Sequence, residues 1–401
     1  MNSAAPSELR RWRNAVFILF FVQGIASSSW LSRIPTLRDD TGMTVAGTGT
    51  FLLAGSIGAI LGLSATTFLV ARIGAHRSIV VVMTLGLAGV VWMGVGSTVL
   101  GSIIATAFGL FAFGFGFGAN GVLVNIEGSQ AERALGKTLL PLMHGFYSIG
   151  TVVGAIIATL LAALHVSVLA HFTGAVCVGA VLAAWAMSLL PDRPELQDDA
   201  PTLPPMAWHR RLRANLLVWR ESLVVFMALC LLGTSFSEGA ANDWIALGMV
   251  DGHGYPNAMG ALAFGMFVGG MTLIRVLGGP LIDRFGRVVM FRASVLCIAS
   301  GIVAFVVAPV LWISLVASLL WGLGIGLSFP TMMSAAGDAP NGTARVAAVA
   351  SVGYASGLVG PPVLGWIGAH AGVLGAQLAL LPLLAMAFVL GFAASGARRP
   401  S

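Results

Sequence analysis

Three carboxyl groups lie inside long apolar stretches of the sequence or directly at their ends, where a charge is costly to keep. Among the fifteen acidic residues, these are Glu127, Glu238 and Asp243. A charged side chain at the centre of a membrane-spanning helix costs about 2.5 to 3.5 kcal/mol on insertion scales, so it usually faces water or an ionic partner. These residues are therefore the first functional candidates, and their chemistry would be to bind a proton or a polar solute.

Glu238 is the strongest of these candidates. Counted from Ser222 at about 1.5 Å per residue, it lies just past the middle of its stretch, and Asn242 shares its helix face one turn later. Gly233 and Gly239 favour a kink or an unwound turn nearby. Since desolvation favours the neutral form of a carboxyl group, we expect Glu238 to carry a proton or to bind substrate. The alternative is a hydrogen bond that only packs two helices together.

A second polar group lies where two consecutive stretches approach each other. Asn120 and Glu127 are seven residues apart and share a helix face, whereas Asn125 points away from it. His144 opens the following stretch, so a hairpin would bring it to Glu127. Because histidine titrates near physiological pH, this pair is a candidate for proton binding at the inner gate. The alternative is a histidine that only donates a packing hydrogen bond.

The elements that must position these residues are twelve apolar stretches. A bilayer core about 30 Å thick needs about 20 residues of helix, and a spanning helix satisfies its own backbone hydrogen bonds. The sequence therefore predicts an all-α membrane protein with twelve transmembrane helices. The predicted spans are residues 14–34, 45–70, 77–97, 100–126, 138–164, 167–190, 222–248, 257–281, 289–308, 311–335, 346–368 and 373–395.

Basic residues are distributed unequally among the gaps between these spans. Eighteen of the twenty-one lie in alternate gaps or in the ends of the spans that border them, Arg33 and Arg38 lie on the other side, and Arg275 lies deeper within a span. Because Lys and Arg in short loops resist translocation, we expect the richer side and both termini to be cytoplasmic. This topology explains the net charge of +6, so we expect no nucleic-acid partner.

Arg33 and Asp243 then lie near the outer ends of the first and seventh spans. Both residues are therefore candidates for an outer gate. The alternative is that Arg33 only reaches lipid headgroups.

The longest polar gap divides the chain into two halves that resemble each other. Residues 191–220 contain five prolines, which predicts a linker between six-helix bundles at residues 1–190 and 221–401. The segment beginning at Gly145 matches the one beginning at Gly353, and the segment from Gln23 to Trp30 echoes that from Glu238 to Trp244. Such repeats place a solute site between two bundles, reached alternately from each side of the membrane. Chance similarity of glycine-rich helices is the alternative for any one match.

Trp30 and Trp244 occupy corresponding positions in the two halves. Aromatic faces combined with amide groups suit a sugar or another polar organic solute. The alternative is a belt of aromatic residues at the membrane interface. The possible hydrogen-bonding neighbours are Gln23, Asn120, Tyr147 and Tyr354.

Composition excludes several classes of protein. With 57% hydrophobic and 9% charged residues, the chain has too little polar surface for a soluble globule. Its three cysteines have no metal-binding spacing, and neither a phosphate-binding Walker loop nor a nucleophile elbow is present. We therefore expect neither an enzyme nor an ATP-driven pump, and we expect no metal and no cofactor.

One loop carries a family signature. Gly279-Pro-Leu-Ile-Asp283-Arg284-Phe-Gly286-Arg287 resembles the cytoplasmic loop motif of the major facilitator superfamily. The corresponding segment of the first half is degenerate, because Ala71 stands where the motif has Asp. Further segments resemble a bacterial branch of that family, the YbjJ-like transporters. They are Trp30-Leu-Ser-Arg33-Ile-Pro35, Asn125-Ile-Glu127-Gly128, His144, and Glu238-Gly-Ala-Ala-Asn-Asp243-Trp244.

The resemblance implies two pseudo-symmetric six-helix bundles in a bacterial inner membrane and transport by alternating access. It implies that Asp283 accepts hydrogen bonds from the amino end of the fifth spanning helix, and that the matching contact at Ala71 is missing. It also places the fifth helix beside the eighth, and the first and seventh helices on opposite sides of the cavity. A salt bridge from Arg33 to Asp243, or to Glu238, would then act as an outer latch worth about 0 to 1 kcal/mol at an exposed position. Arg275 in the eighth span needs a counter-charge or carbonyl oxygens, and the candidates for the counter-charge are Glu127 and Asp283.

Together these observations predict a secondary active transporter of a small organic solute, coupled to protons and functional as a monomer in the lipid bilayer. Sixteen methionines and twenty-two phenylalanines leave drug or metabolite efflux as an alternative, because such residues line adaptable cavities. A sensor or receptor without transport activity is the alternative from another class, although only a linker of thirty residues is available as an output domain.

Overall fold

The computed structural model describes residues 6–136, 139–191, 218–338 and 342–395. Helices make up almost all of these ranges, and no strand occurs within them. Eleven helical segments there are long and apolar enough to cross a membrane, judged by length and composition. The last segment, Ala348–Ser395, has 48 residues, which at about 1.5 Å per residue is more than twice the thickness of a bilayer core.

That last segment contains two crossings rather than one. Gly372 interrupts it with a non-helical backbone, at φ 75° and ψ 163°. Such a conformation is open almost only to glycine, so the helix ends there. The break falls between the eleventh and twelfth predicted spans, and the predicted all-α membrane fold is confirmed.

The chain divides into two compact units. The first comprises Met1–Ala200 together with Tyr255–Gly265, and the second comprises Pro201–Gly254 together with Met266–Ser401. Most of the predicted linker, residues 192–217, lies outside the described residues. The predicted bundle boundaries at residues 190 and 221 stay a prediction.

The first unit contains seven helices among its described residues. They are α1 (Pro6–Leu31), α2 (Ile34–Thr41), α3 (Val45–Ile73), α4 (Ala75–Gly94), α5 (Ile103–Leu135), α6 (Leu140–Ala163) and α7 (Val168–Leu189). The short helix α2 lies between two predicted spans and was not predicted. Pro35 in its first turn and the left-handed Gly42 after its last turn fix its limits.

The rest of the described chain forms seven further helices. They are α8 (Ser222–Leu247), α9 (Asn257–Phe285), α10 (Arg287–Val306), α11 (Leu311–Ile325), α12 (Ser328–Gly337), α13 (Gly342–Leu378) and α14 (Leu381–Val389). The first residues of α9, up to Gly265, group with the first unit. A π-helical turn, Gly248–Gly252, extends α8, so that the complete span runs from Ser222 to Gly252.

Capping residues explain where several spans begin. The side-chain oxygens of Thr44, Ser102 and Ser167 accept hydrogen bonds from the backbone N–H groups of Gly47, Ala105 and Ala170. Each bond satisfies a donor that the first turn of a helix leaves without a partner. These capping bonds define the starts of α3, α5 and α7, which lie within three residues of the starts of the predicted spans.

Glycine brings neighbouring helices close together within each unit. In the first unit, a methyl group at Gly114 on α5 would overlap the backbone of Gly55 on α3. In the second unit, a methyl group at Gly322 on α11 would overlap the carbonyl oxygen of Phe267 on α9. Such close packing is how helices associate in lipid, where burial of apolar surface gives no driving force between them.

Candidate functional site

Glu238 lies near the middle of the 31-residue span Ser222–Gly252. Its carboxylate oxygen Oε1 is 3.6 Å from Nη2 of Arg275, which projects from α9. The side chains of Glu238 and Arg275 are 29% and 33% exposed. The second unit therefore holds an ion pair near mid-span whose two side chains are each about three tenths exposed.

This pairing corrects the prediction for Arg275. Glu127 and Asp283 were the predicted counter-charges, but the acid beside Arg275 is Glu238. Asp283 lies eight residues, or about 12 Å along the axis, beyond Arg275 on the same helix and is exposed. Glu127 accepts a hydrogen bond from Nε1 of Trp12 at 2.9 Å. Sequence spacing could not give the pairing, because the two partners lie on different helices.

Helix packing holds the stem of Arg275. A methyl group at Gly326 would lie 3.4 Å from Cγ of Arg275, and it would overlap Ile274 on the same helix. Because Gly326 has no side chain, α9 can pack closely against the connection between α11 and α12 where Arg275 lies. The guanidinium is carried on a stem whose position is set by packing.

The other candidates on α8 differ in their exposure. Asn242 and Asp243 are half-buried. Trp244 is 1% exposed, its carbonyl oxygen accepts a hydrogen bond from Gln377 at 3.3 Å, and its own Nε1 has no partner among the described residues. A residue sealed in this way does not form an interfacial belt, so in this conformation Trp244 packs against its neighbours.

The first unit brings together Trp30, Gln23 and Asn120 along α1 and α5. The ring of Trp30 meets Phe113 edge-on at 5.7 Å, and Phe113 stacks on Phe117 at 4.5 Å. Nε2 of Gln23 donates to the carbonyl oxygen of Phe117 at 3.3 Å. Trp30 is 8% exposed, so it too is buried rather than part of an interfacial belt.

Asn120 is the most unusual member of this group. It is fully buried, and neither its amide oxygen nor its amide nitrogen has a hydrogen-bond partner among the described residues. An unsatisfied buried polar group costs about 1 to 3 kcal/mol, so this amide has unused capacity for a hydroxyl group or a water molecule. Tyr147 is half-buried on α6, and the side chain of Tyr354 lies outside the described residues.

The predicted pair of Glu127 and His144 is arranged differently. Nε2 of His144 is 3.1 Å from Oδ1 of Asn125, which was predicted to point away. The amide nitrogen of Asn125 donates to the carbonyl oxygen of Gly121 at 2.7 Å, which turns the amide oxygen towards the histidine. Trp12 reaches Glu127 because its ring is buried at the end of α1. His144 therefore lies next to the amide of Asn125, and the carboxylate of Glu127 lies next to the indole of Trp12.

Arg33 is buried inside the first unit, with 3% of its surface exposed. Its Nε donates to Nδ1 of His171 at 3.4 Å, and its Nη2 donates to the carbonyl oxygen of Val166. Burial lowers the pKa of the Arg33 guanidinium, while the charge of Asp40 raises it. The alternative in which Arg33 reaches lipid headgroups is wrong. The latch to Asp243 or Glu238 stays a prediction.

His171 is a neighbour of Arg33 that sequence reasoning missed. It is 2% exposed, and its Nε2 has no partner among the described residues. An ionisable residue inside the predicted span 167–190 was the available signal. Its link to Arg33 spans 138 positions of sequence and could not be read from spacing.

The loop motif is shaped by a glycine in an unusual conformation. Gly286 precedes α10 at φ 80° and ψ 156°, and Gly74 precedes α4 at φ 80° and ψ 162° in the corresponding loop of the first half. The two loops share this backbone although Ala71 replaces the motif Asp. Gly279 lies in α9, and Asp283 and Arg284 are exposed near the end of that helix.

Two ion pairs fasten the predicted cytoplasmic ends of the second unit. Arg287 of the motif pairs with Asp338 at the end of α12, and Arg345 on α13 pairs with Glu221 at the start of α8. The pair of Arg345 and Glu221 was not predicted. In the ranges that the structure describes, His, Cys, Asp and Glu nowhere form a group of three that could hold a metal ion.

Comparison with known proteins gives consistent results. Residues 132–361 match the family model described as Major Facilitator Superfamily. The chain is 26% identical over 356 residues to an uncharacterised MFS-type transporter of Yersinia pestis, covering 87% of both chains. Among solved structures, it resembles the nucleoside transporter NupG, with a TM-score of 0.73, 15% identity and coverage of 96% and 98%. It also resembles a D-xylose-proton symporter, with a TM-score of 0.72, 14% identity and coverage of 95% and 96%.

Proposed function

This chain belongs to the major facilitator superfamily, and we propose that it couples the movement of a proton to that of a small polar organic solute. The family and the fold are those of membrane transporters. In this mechanism Glu238 is the group that binds the proton. The protein works as a monomer in the inner membrane, with both termini in the cytoplasm. No cofactor and no catalytic residue are needed for such a mechanism.

The ion pair of Glu238 and Arg275 is the observation that carries this proposal. An ionisable group at the centre of a span is costly and usually marks an ion or substrate pathway. Glu238 lies near the midpoint of its span, and about three tenths of its side chain is open. Proton exchange needs both conditions: a position that either compartment can reach in turn, and access to water.

The chemical step is the binding and release of one proton. In the charged state the Glu238 carboxylate neutralises Arg275. A proton that adds to a carboxylate oxygen makes the carboxyl group neutral and leaves Arg275 without its counter-charge. The two states differ in electrostatic energy, so protonation shifts the balance between conformations of the protein. Loss of the proton on the opposite side restores the pair.

Groups in the first unit favour a solute that carries hydroxyl groups. The buried amide of Asn120 has no described partner, and the amide of Gln23 lies one turn away on a neighbouring helix. Amide groups beside an aromatic cluster suit polar organic solutes. The D-xylose-proton symporter and the nucleoside transporter with similar folds are named for solutes of this kind.

The test compares Glu238→Gln with the wild-type protein. Sugars, nucleosides, amphiphiles and drugs are first screened by thermal shift on the purified protein. Hits are then followed as uptake into proteoliposomes under an imposed pH gradient. We expect Glu238→Gln to bind the hits but to lose accumulation driven by the pH gradient, because a glutamine amide cannot exchange a proton.

Asp39→Asn is the matched control, because Asp39 is an exposed carboxylate on α2 that pairs with Arg38 at the surface. It should transport as the wild type does. Proton-driven uptake that persists in Glu238→Gln would refute the coupling assignment. The efflux alternative predicts accumulation of apolar compounds in inside-out vesicles only.

A further inference from the structure

The ion pair of Glu238 and Arg275 is looser than the other ion pairs of the second unit. Its nitrogen and oxygen are 3.6 Å apart, whereas charge-assisted hydrogen bonds are about 2.7 to 2.9 Å long. Arg287 with Asp338 and Arg345 with Glu221 are in direct contact. The charges of Glu238 and Arg275 therefore attract each other, but the two side chains do not form a hydrogen bond.

Arg275 has a large unused capacity to donate hydrogen bonds. A guanidinium group carries five N–H donors in a planar fork. In the described part of the chain, no acceptor takes a hydrogen bond from any of them, and a third of the side chain is open. A guanidinium so placed can bind a second oxyanion, and its fork fits a carboxylate with two parallel hydrogen bonds.

We propose that Arg275 binds the carboxylate of an anionic solute, which replaces Glu238 as its counter-ion when Glu238 takes up the proton. This inference rests on the proposed function and adds the chemical class of the substrate. Before loading, the Arg275 cation is balanced by the Glu238 carboxylate. After loading, it is balanced by the solute carboxylate, and Glu238 is neutral.

This exchange keeps the total charge of the site constant. One proton and one monovalent organic acid enter together, so no uncompensated charge is left in the span at either stage. A span charged by an unpaired arginine would be costly, so each partner favours binding of the other. The same reasoning predicts electroneutral transport of a monovalent acid.

Neighbouring charged side chains do not take the place of Glu238 or Arg275. Asp243 lies five residues further along α8, about 140° around the helix from Glu238. Arg345 on α13 is engaged by Glu221, and His370 on the same helix bonds a carbonyl oxygen of its own helix. The helices α11, α12 and α14, which also pack in this unit, carry no ionisable side chain apart from their flanking residues.

Asn242 completes the chemical description of the solute. It lies one turn beyond Glu238 on the same face of α8 and is half-buried. Its amide can bind a hydroxyl group next to the carboxylate held by Arg275. A hydroxylated monocarboxylic acid, such as a sugar acid, has both groups.

The experiment measures binding of a defined panel to the purified full chain at pH 6 and pH 8. The panel contains D-gluconate, D-glucuronate, inorganic phosphate, D-xylose and uridine. We expect a sugar acid to stabilise the wild type, and to bind more tightly at pH 6 than at pH 8. Glu238→Gln imitates the protonated state and should bind the acid equally well at both values. Arg275→Gln should weaken binding by about thirtyfold or more, since it removes one partner of a charge pair.

Two controls separate a binding defect from a folding defect and from failure of the proposed function. The double variant Glu238→Gln/Arg275→Gln is charge-balanced and should fold, with a single elution peak, yet bind no acid. If Arg275→Gln binds the acid as the wild type does, or if no acid of the panel binds, the inference is overturned. If Glu238→Gln loses proton-driven uptake of D-xylose or uridine while Arg275→Gln keeps it, the inference fails but the proposed function stands. Tight binding of inorganic phosphate alone would also overturn the assignment of a carboxylate.

Discussion

Arg33 in the first unit and Arg275 in the second show two ways in which a cation is kept among apolar helices. Arg33 is 3% exposed and donates to two neutral acceptors, the imidazole of His171 and the carbonyl oxygen of Val166. Arg275 has a third of its side chain open and faces one carboxylate at 3.6 Å. The sealed cation has fitted acceptors for its donors, whereas the open one keeps donors that no described acceptor uses.

The largest expected effect on stability comes from Arg33→Gln. Loss of the guanidinium leaves Nδ1 of His171 and the carbonyl oxygen of Val166 without their donors inside the packed unit. We expect the free energy of unfolding to fall by about 2 to 4 kcal/mol. Thermal unfolding of the purified variant in detergent measures this, with Arg38→Gln on the adjoining short helix α2 as control. An unchanged melting temperature would show that Arg33 is not a structural anchor.

Gly74→Ala and Gly286→Ala test whether the two loops are built alike. Both glycines lie at φ 80°, where a residue with a β-carbon is strained by about 1 to 3 kcal/mol. Nothing lies within 4 Å of a β-carbon at Gly286, so the cost there is one of backbone conformation alone. We expect similar losses of unfolding free energy for both variants, although the first loop has Ala71 in place of Asp. A loss confined to Gly286→Ala would contradict this.

Arg275→Gln tests the second arginine of this comparison. Because Arg275 makes no described hydrogen bond, its removal leaves only Glu238, which can become neutral by taking a proton. We expect unfolding free energy to change by less than about 1 kcal/mol, far less than for Arg33→Gln, while proton-driven transport is lost. The same pair of assays, melting and proteoliposome uptake, decides this. A strongly destabilised Arg275→Gln would place both arginines in one structural class.

The smallest effect is expected at Asp40, the acid that influences Arg33 from the far end of α2. Burial first, and then the charge of Asp39, raise the pKa of Asp40. The folded protein therefore holds this proton more firmly than the unfolded chain does, so its contribution to stability is present at acid pH and is lost as pH rises through the folded pKa. Asp40→Asn should melt slightly higher than the wild type at pH 7.5, and the difference should vanish near pH 3. A constant difference would show that Asp40 does not titrate in this way.

How far the site was predictable depends on which residues are considered. Glu238 was found from sequence because a lone acid in an apolar span is conspicuous whatever its partners are. Its partner Arg275 was also found, but Glu238 was not among the acids named for it, and the pairing of Arg275 with Glu127 of the other unit stays a prediction. Trp12 was missed, since no pattern distinguishes an aromatic residue near a span end that reaches a carboxylate from one that faces lipid. Residues that differ from their surroundings can be found in the sequence, whereas the pairs they form cannot.

The sequence by itself determined the number of spans and the all-α class, because a helix in lipid satisfies its backbone locally and needs only length and apolar composition. It also determined where the chain turns, as at Gly74, Gly286 and Gly372, where the backbone requires glycine. Tertiary structure alone decided the partners: Glu238 with Arg275, Trp12 with Glu127 across 115 positions, and Arg33 with His171 across 138. Those contacts depend on how helices pack within each unit, and that packing is set by the shapes of many side chains together rather than by any local pattern.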